Sequence, residues 1–303
     1  MTEPMSAFAA LHHRDEPLLL PNAWDHASAV LLAEQGFAAI GTTSLGVAAA
    51  VGLPDGTGAT RDHTLQLALN LGTEDFLLSV DAEGGFSEDP VQVGEFAREL
   101  SVVGAVGINL EDGLGPAAPH AEKIAAVKAA APGLFVNART DTHWLGDRRS
   151  PTLARDTMAR LDAYQQAGAD GVFVPGLTDP DRIAALVKSL DVPLNILYSP
   201  TGPTVARLGD LGVRRVSLGS LLYRRALGAA VEALGDIRAG RAPRGGAPSY
   251  DEVVALGHQH HGARITTPNP TPAPVPTATP APTGISRPEP TSPGAGPRTP
   301  PGA

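Results

Sequence analysis

The chain has 303 residues, 42% of them hydrophobic, a formal charge of −9 and no cysteine. The absence of thiols excludes disulfides, thiol catalysis and thiolate metal sites, and an acidic chain without any Lys/Arg cluster interleaved with aromatics argues against a nucleic-acid partner. Met1 to Arg14 shows no basic start followed by an apolar core, and no run approaches membrane-spanning length, so the expectation is a cytoplasmic protein without membrane contact.

In chain order, apolar runs of strand type are expected at Leu18–Leu20, Ala38–Gly41, Phe76–Val80, Val106–Leu110, Leu134–Ala138, Gly171–Val174, Leu194–Leu197 and Val213–Leu218. Segments of helical period fall between them at 26–35, 62–71, 90–102, 120–130, 152–167, 180–189, 203–211 and 222–238. Eight strands strictly alternating with eight helices is the count of a (β/α)8 TIM-type barrel. The competing doubly wound sheet usually carries a glycine-rich phosphate loop after its first strand, and here Pro21-Asn22-Ala23-Trp24-Asp25 stands there. From Thr266 onward the chain holds 13 of its 29 prolines, with Val275 and Ile285 as the only aliphatic side chains larger than alanine. Such a segment buries too little apolar surface to offset its conformational entropy, so residues 1–262 are expected to form the barrel and 263–303 a disordered Pro/Thr/Ala-rich tail.

In a barrel of this kind, functional side chains sit where strands end. Those ends offer Asn22 and Asp25, Thr42 to Gly46, Asp81 and Glu83, Glu111 and Asp112, Asn137, Arg139 and Asp141, Gly176, Asn195 and Tyr198, then Ser217 and Ser220, while the strand bodies are almost wholly apolar. Leu77 to Val80 runs straight into Asp81, Glu83, Gly84 and Gly85; Asp81 and Glu83, two apart, would point the same way on a continuing strand. Glu111 and Asp112 repeat the pattern. Neighbouring carboxylates repel unless a proton or cation lies between them, and such oxygen ligands suit Mg2+ or Mn2+; the alternative is a pair of ordinarily solvated strand ends. Arg139 either pairs with one of these acids or clamps an anionic substrate group, and the second is favoured because an acid-rich site otherwise repels an anion. Ser44-Leu45-Gly46 either offers backbone N–H groups to the other end of that substrate or forms an ordinary turn of small residues.

Six stretches in order resemble the motifs of the isocitrate lyase/phosphoenolpyruvate mutase superfamily: Asn22-Ala23-Trp24-Asp25, Thr43-Ser44-Leu45-Gly46, Gly52-Leu53-Pro54-Asp55, Asp81-Ala82-Glu83-Gly84-Gly85-Phe86, Asn109-Leu110-Glu111-Asp112-Gly113 and Asn137-Ala138-Arg139-Thr140-Asp141. Leu211 to Ser217 is similar to that family's eighth strand. The resemblance implies a Mg2+-dependent barrel that makes or breaks a C–C or C–P bond in a small 2-oxo or 2-hydroxy carboxylate beside an enolate. It implies that Asp81, with Glu83 and Glu111 bound directly or through waters, holds the metal. It also implies that Ser44, Leu45, Gly46 and Arg139 take the substrate, that Asp55 reaches into the site from its loop, and that the protein is a homotetramer exchanging its last helix between neighbours.

Departures from the family's patterns narrow the choice. The Lys-Arg-Cys-Gly-His-type loop of isocitrate and methylisocitrate lyases is replaced by Leu114-Gly115-Pro116-Ala117-Ala118-Pro119-His120. Gly176 stands where those lyases have glutamate and near where the mutases have histidine, and Glu83 replaces the usual second aspartate. His120 titrates near neutrality and is a candidate proton donor, although a histidine at a helix start is more often a surface residue. Asn195 and Tyr198 are candidates for polarising the substrate. A lyase whose enolate is protonated from solvent needs no dedicated acid and ranks first. Phosphonopyruvate hydrolase or mutase chemistry ranks second, and a non-catalytic metal- and carboxylate-binding barrel is the alternative of another class. The spacing of His258, His260 and His261 resembles a metal site but falls after the last helix.

Overall fold

The computed structural model describes residues 5–257. The boundary expected at 262/263, the tail 263–303 and the three late histidines lie outside the described residues. The strands are β1 (Leu18–Leu20), β2 (Asn22–Ala23), β3 (Ala39–Thr42), β4 (Leu77–Asp81), β5 (Ala105–Glu111), β6 (Phe135–Arg139), β7 (Gly171–Val174), β8 (Leu194–Leu197) and β9 (Arg215–Ser217). Every pairing is parallel, in the order β1-β9-β8-β7-β6-β5-β4-β3-β2. β1 and β2 are two halves of one stretch parted at Pro21, which has no N–H to give a ladder. The first half pairs with β9 and the second with β3, so this stretch joins the two edges of the sheet. Asn22 fastens the seam: its Nδ2 donates to the Thr42 carbonyl at 2.7 Å, and its Oδ1 accepts from the N–H groups of Leu218 and Gly219 at 3.1 and 2.9 Å.

Helices α1 (Ala7–Leu11), α2 (His26–Glu34), α3 (Ser44–Ala50), α4 (Arg61–Leu71), α5 (Pro90–Val102), α6 (Ala117–Ala130), α7 (Leu153–Gln166), α8 (Pro180–Ser189), α9 (Val205–Asp210), α10 (Leu221–Arg238) and α11 (Tyr250–Leu256) fill the connections. Two of them start on Asp-Pro: Asp89 and Asp179 cap the first N–H groups of α5 and α8, and the proline takes a position whose N–H would have no helical partner. The eight expected helices are present with ends shifted by up to three residues. No α1, α3 or α11 was expected, because these are too short to carry a period.

Alternation along the strands divides the core. Leu78, Val80, Ile108, Leu110, Val136, Ala138, Val172, Val174, Ile196 and Val216 belong to the large cluster packed under the helices. The barrel's inner bottom is a separate cluster of Phe8, Leu11, Leu20, Ala39 and Phe135, in which α1 acts as a plug. Gly107 makes room for that plug, since a Cβ there would lie 2.6 Å from the Phe8 ring. Above the plug the interior turns polar. Asn137 Nδ2 donates to Asn109 Oδ1 at 2.8 Å, Arg215 Nη2 donates to the same oxygen at 3.0 Å, Arg215 Nε donates to Ser217 Oγ at 3.2 Å, and Asn195 Nδ2 donates to Ser217 Oγ at 2.9 Å. Arg215 is buried at 1% exposure, with Nη1 unpartnered, and burial pushes its guanidinium down to about 9 against the pull of Asp81. Strand parity turns Arg215 into the barrel on the same face as Ser217.

Candidate functional site

The mouth of the barrel lies at the carboxyl ends of the strands and is a cavity of about 130 Å3. Its lining includes Asn22, Ser44, Leu45, Asp55, Asp81, Asn109, Arg139, Trp144, Phe173, Tyr198, Ser217, Ser220 and Arg224. The volume is well below the ~300–1,000 Å3 of sites that take drug-sized ligands, so it suits a molecule of a few carbons.

Asp81 closes β4. Its backbone N–H donates to Thr42 Oγ1 at 2.8 Å, and its Oδ2 accepts the Ser44 N–H at 3.1 Å. Ser44 thus begins α3 by giving its amide to Asp81, while its hydroxyl bonds to Asp55. Asp55 stands above its ordinary value because burial and the Asp81 charge outweigh that hydrogen bond and Arg139. Leu45 lines the cavity beside Ser44. Gly46 is packed below, where a Cβ would meet Trp24 at 2.8 Å.

Glu111 and Arg139 are register partners on β5 and β6 and both face inward, so they form an ion pair at 2.5 Å. Arg139 also grips Asp141 Oδ1 with Nε and Nη2, each at 2.7 Å. Of the two jobs open to Arg139, the structure therefore shows pairing with two acids. Burial pushes the Glu111 carboxyl up to about 8, with Asp81, Asp141 and Asp55 adding to the shift against the Arg139 charge. Burial likewise raises Asp141, whose Oδ2 has no partner.

Glu83 is placed differently from the strand-parity expectation. β4 stops at Asp81, and Glu83 adopts φ 47°, in the left-handed region, so its side chain leaves the line of Asp81. Its Oε1 accepts from the Thr60 hydroxyl at 2.5 Å and its Oε2 from the Gly58 N–H at 2.9 Å. Glu83 thereby ties down the loop that carries Asp55. Asp112 also departs from the mouth: it accepts from Arg160 at 2.8 Å, Tyr164 at 2.7 Å and the N–H groups of Leu114 and Asp141 at 3.0 Å. Burial works to raise Asp112, but those bonds hold it below its ordinary value. The connection from β5 to α6 is the five residues Asp112–Pro116, braced by Gly115 N–H on the Asp112 carbonyl at 2.7 Å and by Arg160 on the Gly115 carbonyl at 2.8 Å.

His120 corrects the expectation of a surface residue. It lies within α6 at 4% exposure, edge-on to the Tyr164 ring at 4.7 Å, and burial pushes it down to about 4. It lines a separate cleft of about 310 Å3 with Glu88, Glu111, Asp112 and Lys123, and is absent from the mouth. Asn195 lies one layer below the mouth, bonded to Ser217, whereas Tyr198 reaches the lining. Gly176 holds φ 81° next to the His143 carbonyl. Sequence reasoning missed Trp144, Phe173 and Arg224 in the lining, and Thr60 and Gly58 behind Glu83. Trp144, Gly58 and Thr60 lie on loops, Phe173 within β7 and Arg224 in α10, and none of these places carries a polar strand-end signal.

Among the described residues no three His, Asp or Glu side chains come together as a ready-made metal cluster. The donors nevertheless suit Mg2+, which takes hard oxygens, often from only one or two carboxylates, and keeps several waters. Asp81 lines the mouth and, among the described residues, has no lysine or arginine bonded to it. No helix of the described residues is long and apolar enough to cross a membrane.

A parallel eight-fold β/α barrel whose carboxyl-end mouth gathers acids and a guanidinium has the layout of a TIM-barrel enzyme. Residues 8–238 match the phosphoenolpyruvate phosphomutase family, and the chain belongs to it, within the PEP mutase/isocitrate lyase superfamily. An uncharacterized protein of Mycobacterium tuberculosis (strain H37Rv) is 45% identical over 75% of this chain and 87% of its own length. The 2-methylisocitrate lyase of Bacillus subtilis (strain 168) is 30% identical over 65% of this chain and 68% of its own. Among solved structures, a protein from Burkholderia cenocepacia J2315 described as a lyase/mutase superposes with TM-score 0.74 at 36% identity, covering 84% of this chain and 95% of that one. A phosphonopyruvate hydrolase in complex with oxalate and Mg2+ does so with TM-score 0.70 at 26% identity, covering 82% and 93%. Superfamily members include lyases, mutases and hydrolases of small carboxylates.

Proposed function

We propose that the chain is a Mg2+-dependent lyase that cleaves a C–C bond in a small 2-oxo or 2-hydroxy carboxylate. The observation that carries this reading is the convergence of Ser44, Asp55, Asp81 and Arg139 on one small cavity at the carboxyl ends of the strands, with Glu111 held against Arg139. Asp81 would hold the ion, with Glu111 acting through water and Glu83 as the brace behind it. A bound Mg2+ would supply positive charge against the oxyanion that develops on the substrate as the bond breaks. The chain's own groups do the rest. Ser44 keeps Asp81 and Asp55 in place, Asp55 presents a carboxyl to the reacting end, and Phe173 and Leu197 form an apolar wall that limits water. No mouth residue among those described matches the cysteine acid of the isocitrate lyases, so protonation of the product is assigned to solvent.

A second reading, C–P cleavage, is favoured by the likeness to a phosphonopyruvate hydrolase. Incubation with Mg2+ and oxaloacetate, 2-methylisocitrate, 4-hydroxy-2-oxo acids or phosphonopyruvate, followed by pyruvate release, separates the two. The Asp81→Ala variant is expected to lose all Mg2+-dependent turnover, and activity surviving in it would reject the assignment. We further propose a homo-oligomer: Leu227, Val231, Leu234 and Ile237 recur at helical spacing on α10 and are all exposed, a stripe that a second copy would cover. Light scattering after gel filtration tests it, and a monomer at micromolar concentration rejects it.

A further inference from the structure

The mouth contains two arginines in different electrical states. Arg139 is already matched: Glu111 takes Nη1, and Asp141 takes Nε and Nη2. Arg224 stands in the first turn of α10, at the rim, with Nε donated to the Ser220 hydroxyl at 3.2 Å. Among the described residues no carboxylate pairs with it, so the terminal nitrogens of its fork carry no ion pair while the residue lines the cavity. Ser220 sets the plane of the guanidinium without neutralising it. Between this rim and the inner end formed by Ser44 and Asp81, the lining includes Leu45, Phe173, Pro175 and Leu197. That strip suits a short carbon chain and offers no charge of its own.

We propose that Arg224 recognises a second anionic group on the substrate, a distal carboxylate, and so selects diacids over monoacids. The proposal rests on the lyase reading for the inner end, where the 2-oxo or 2-hydroxy acid head would sit. It follows from where charge is unspent. Asp55 and Asp81 line the inner end, and Arg139 is spoken for by Glu111 and Asp141, so the free guanidinium is the group able to draw the outer end of an anion into the mouth. A carboxylate matches the fork with two parallel hydrogen bonds, a geometry that the compact lysine ammonium does not reproduce.

The experiment is calorimetric titration in saturating Mg2+ with length-matched pairs that differ only at the far end: 2-oxoglutarate against 2-oxovalerate, and 2-oxoadipate against 2-oxohexanoate. Oxalate, too short to reach the rim, serves as the control. Wild-type protein is expected to prefer each diacid by at least tenfold. Arg224→Met should abolish that preference while leaving oxalate and the monoacids unchanged, and Arg224→Lys should keep part of it. A wild type without preference, or an Arg224→Met variant that retains it, overturns the proposal. If wild type binds neither oxalate nor any acid of the panel, the lyase reading on which it rests has failed instead. Unaltered oxalate affinity in Arg224→Met also certifies that the variant is folded.

Discussion

Replacing Arg215 by methionine should leave the protein about as stable as before, although Arg215 heads the largest fully buried side chains. Displacement of its guanidinium from the ordinary arginine value down to about 9 corresponds to a penalty on the order of 5 kcal/mol for holding the charge in the barrel interior. Against this stand two hydrogen bonds from a charged donor, to Asn109 and Ser217, each contributing about 1.5–3 kcal/mol. Their loss orphans nothing, because Asn137 still donates to Asn109 and Asn195 to Ser217. Among the described residues no carboxylate is hydrogen-bonded to Arg215, so the ~3–5 kcal/mol cost of breaking a buried ion pair does not arise. Methionine fills the aliphatic stem's volume, and the net expectation is a change near zero, from roughly 2 kcal/mol in favour of the variant to about 1 kcal/mol against it. Urea denaturation followed by far-UV circular dichroism at pH 7.5 measures it. A loss greater than about 2 kcal/mol would refute the reasoning and show that the guanidinium holds the barrel together.

Glu83→Ala removes the acceptor for Thr60 and Gly58 and should cost about 2–3 kcal/mol, with faster proteolysis between residues 52 and 60; equal cleavage rates would contradict the bracing role. His12 and His120 are pushed by burial to about 3 and about 4. Their folded values lie below the unfolded one, so the unfolded chain binds more protons, and stability is greatest above pH 6.5 and falls as pH drops toward 4. Each should remove about 2 kcal/mol between pH 7.5 and pH 5, and His120→Gln should shrink the total loss by that amount in paired urea titrations. An undiminished loss in His120→Gln would show that His120 is charged in the fold. Gly107→Ala should destabilise by about 1–3 kcal/mol, because the new methyl meets Phe8, and wild-type stability would mean that the plug yields.

The barrel was legible because strands of a closed parallel sheet are covered on their outer face throughout and leave long apolar runs. The seam at Pro21 was not: Leu18–Leu20 reads as the first strand, but the second half, Asn22–Ala23, is only two residues long and carries no strand signal. Strand parity carried the inward placement of Asp81, Glu111 and Arg139, all at or before the last residue of a strand. It failed for Glu83, which lies past the end of β4 in left-handed backbone. It would also have separated Asp112 from Glu111, because neighbours on a strand face opposite ways. Helix burial was invisible at His120, where one histidine among alanines carries no amphipathic signal. Arg224 lies in a helix with no strand-end signal, and only the fold shows that it lines the mouth.

The five-residue passage from β5 to α6 has a kinetic consequence. Being short and braced at both ends, it has no slack to swing across the opening, so this passage does not serve as a flap over a ligand. Many barrel enzymes are limited by such a motion and slow down in viscous solvent. Here this passage should contribute no such slowing when sucrose is added.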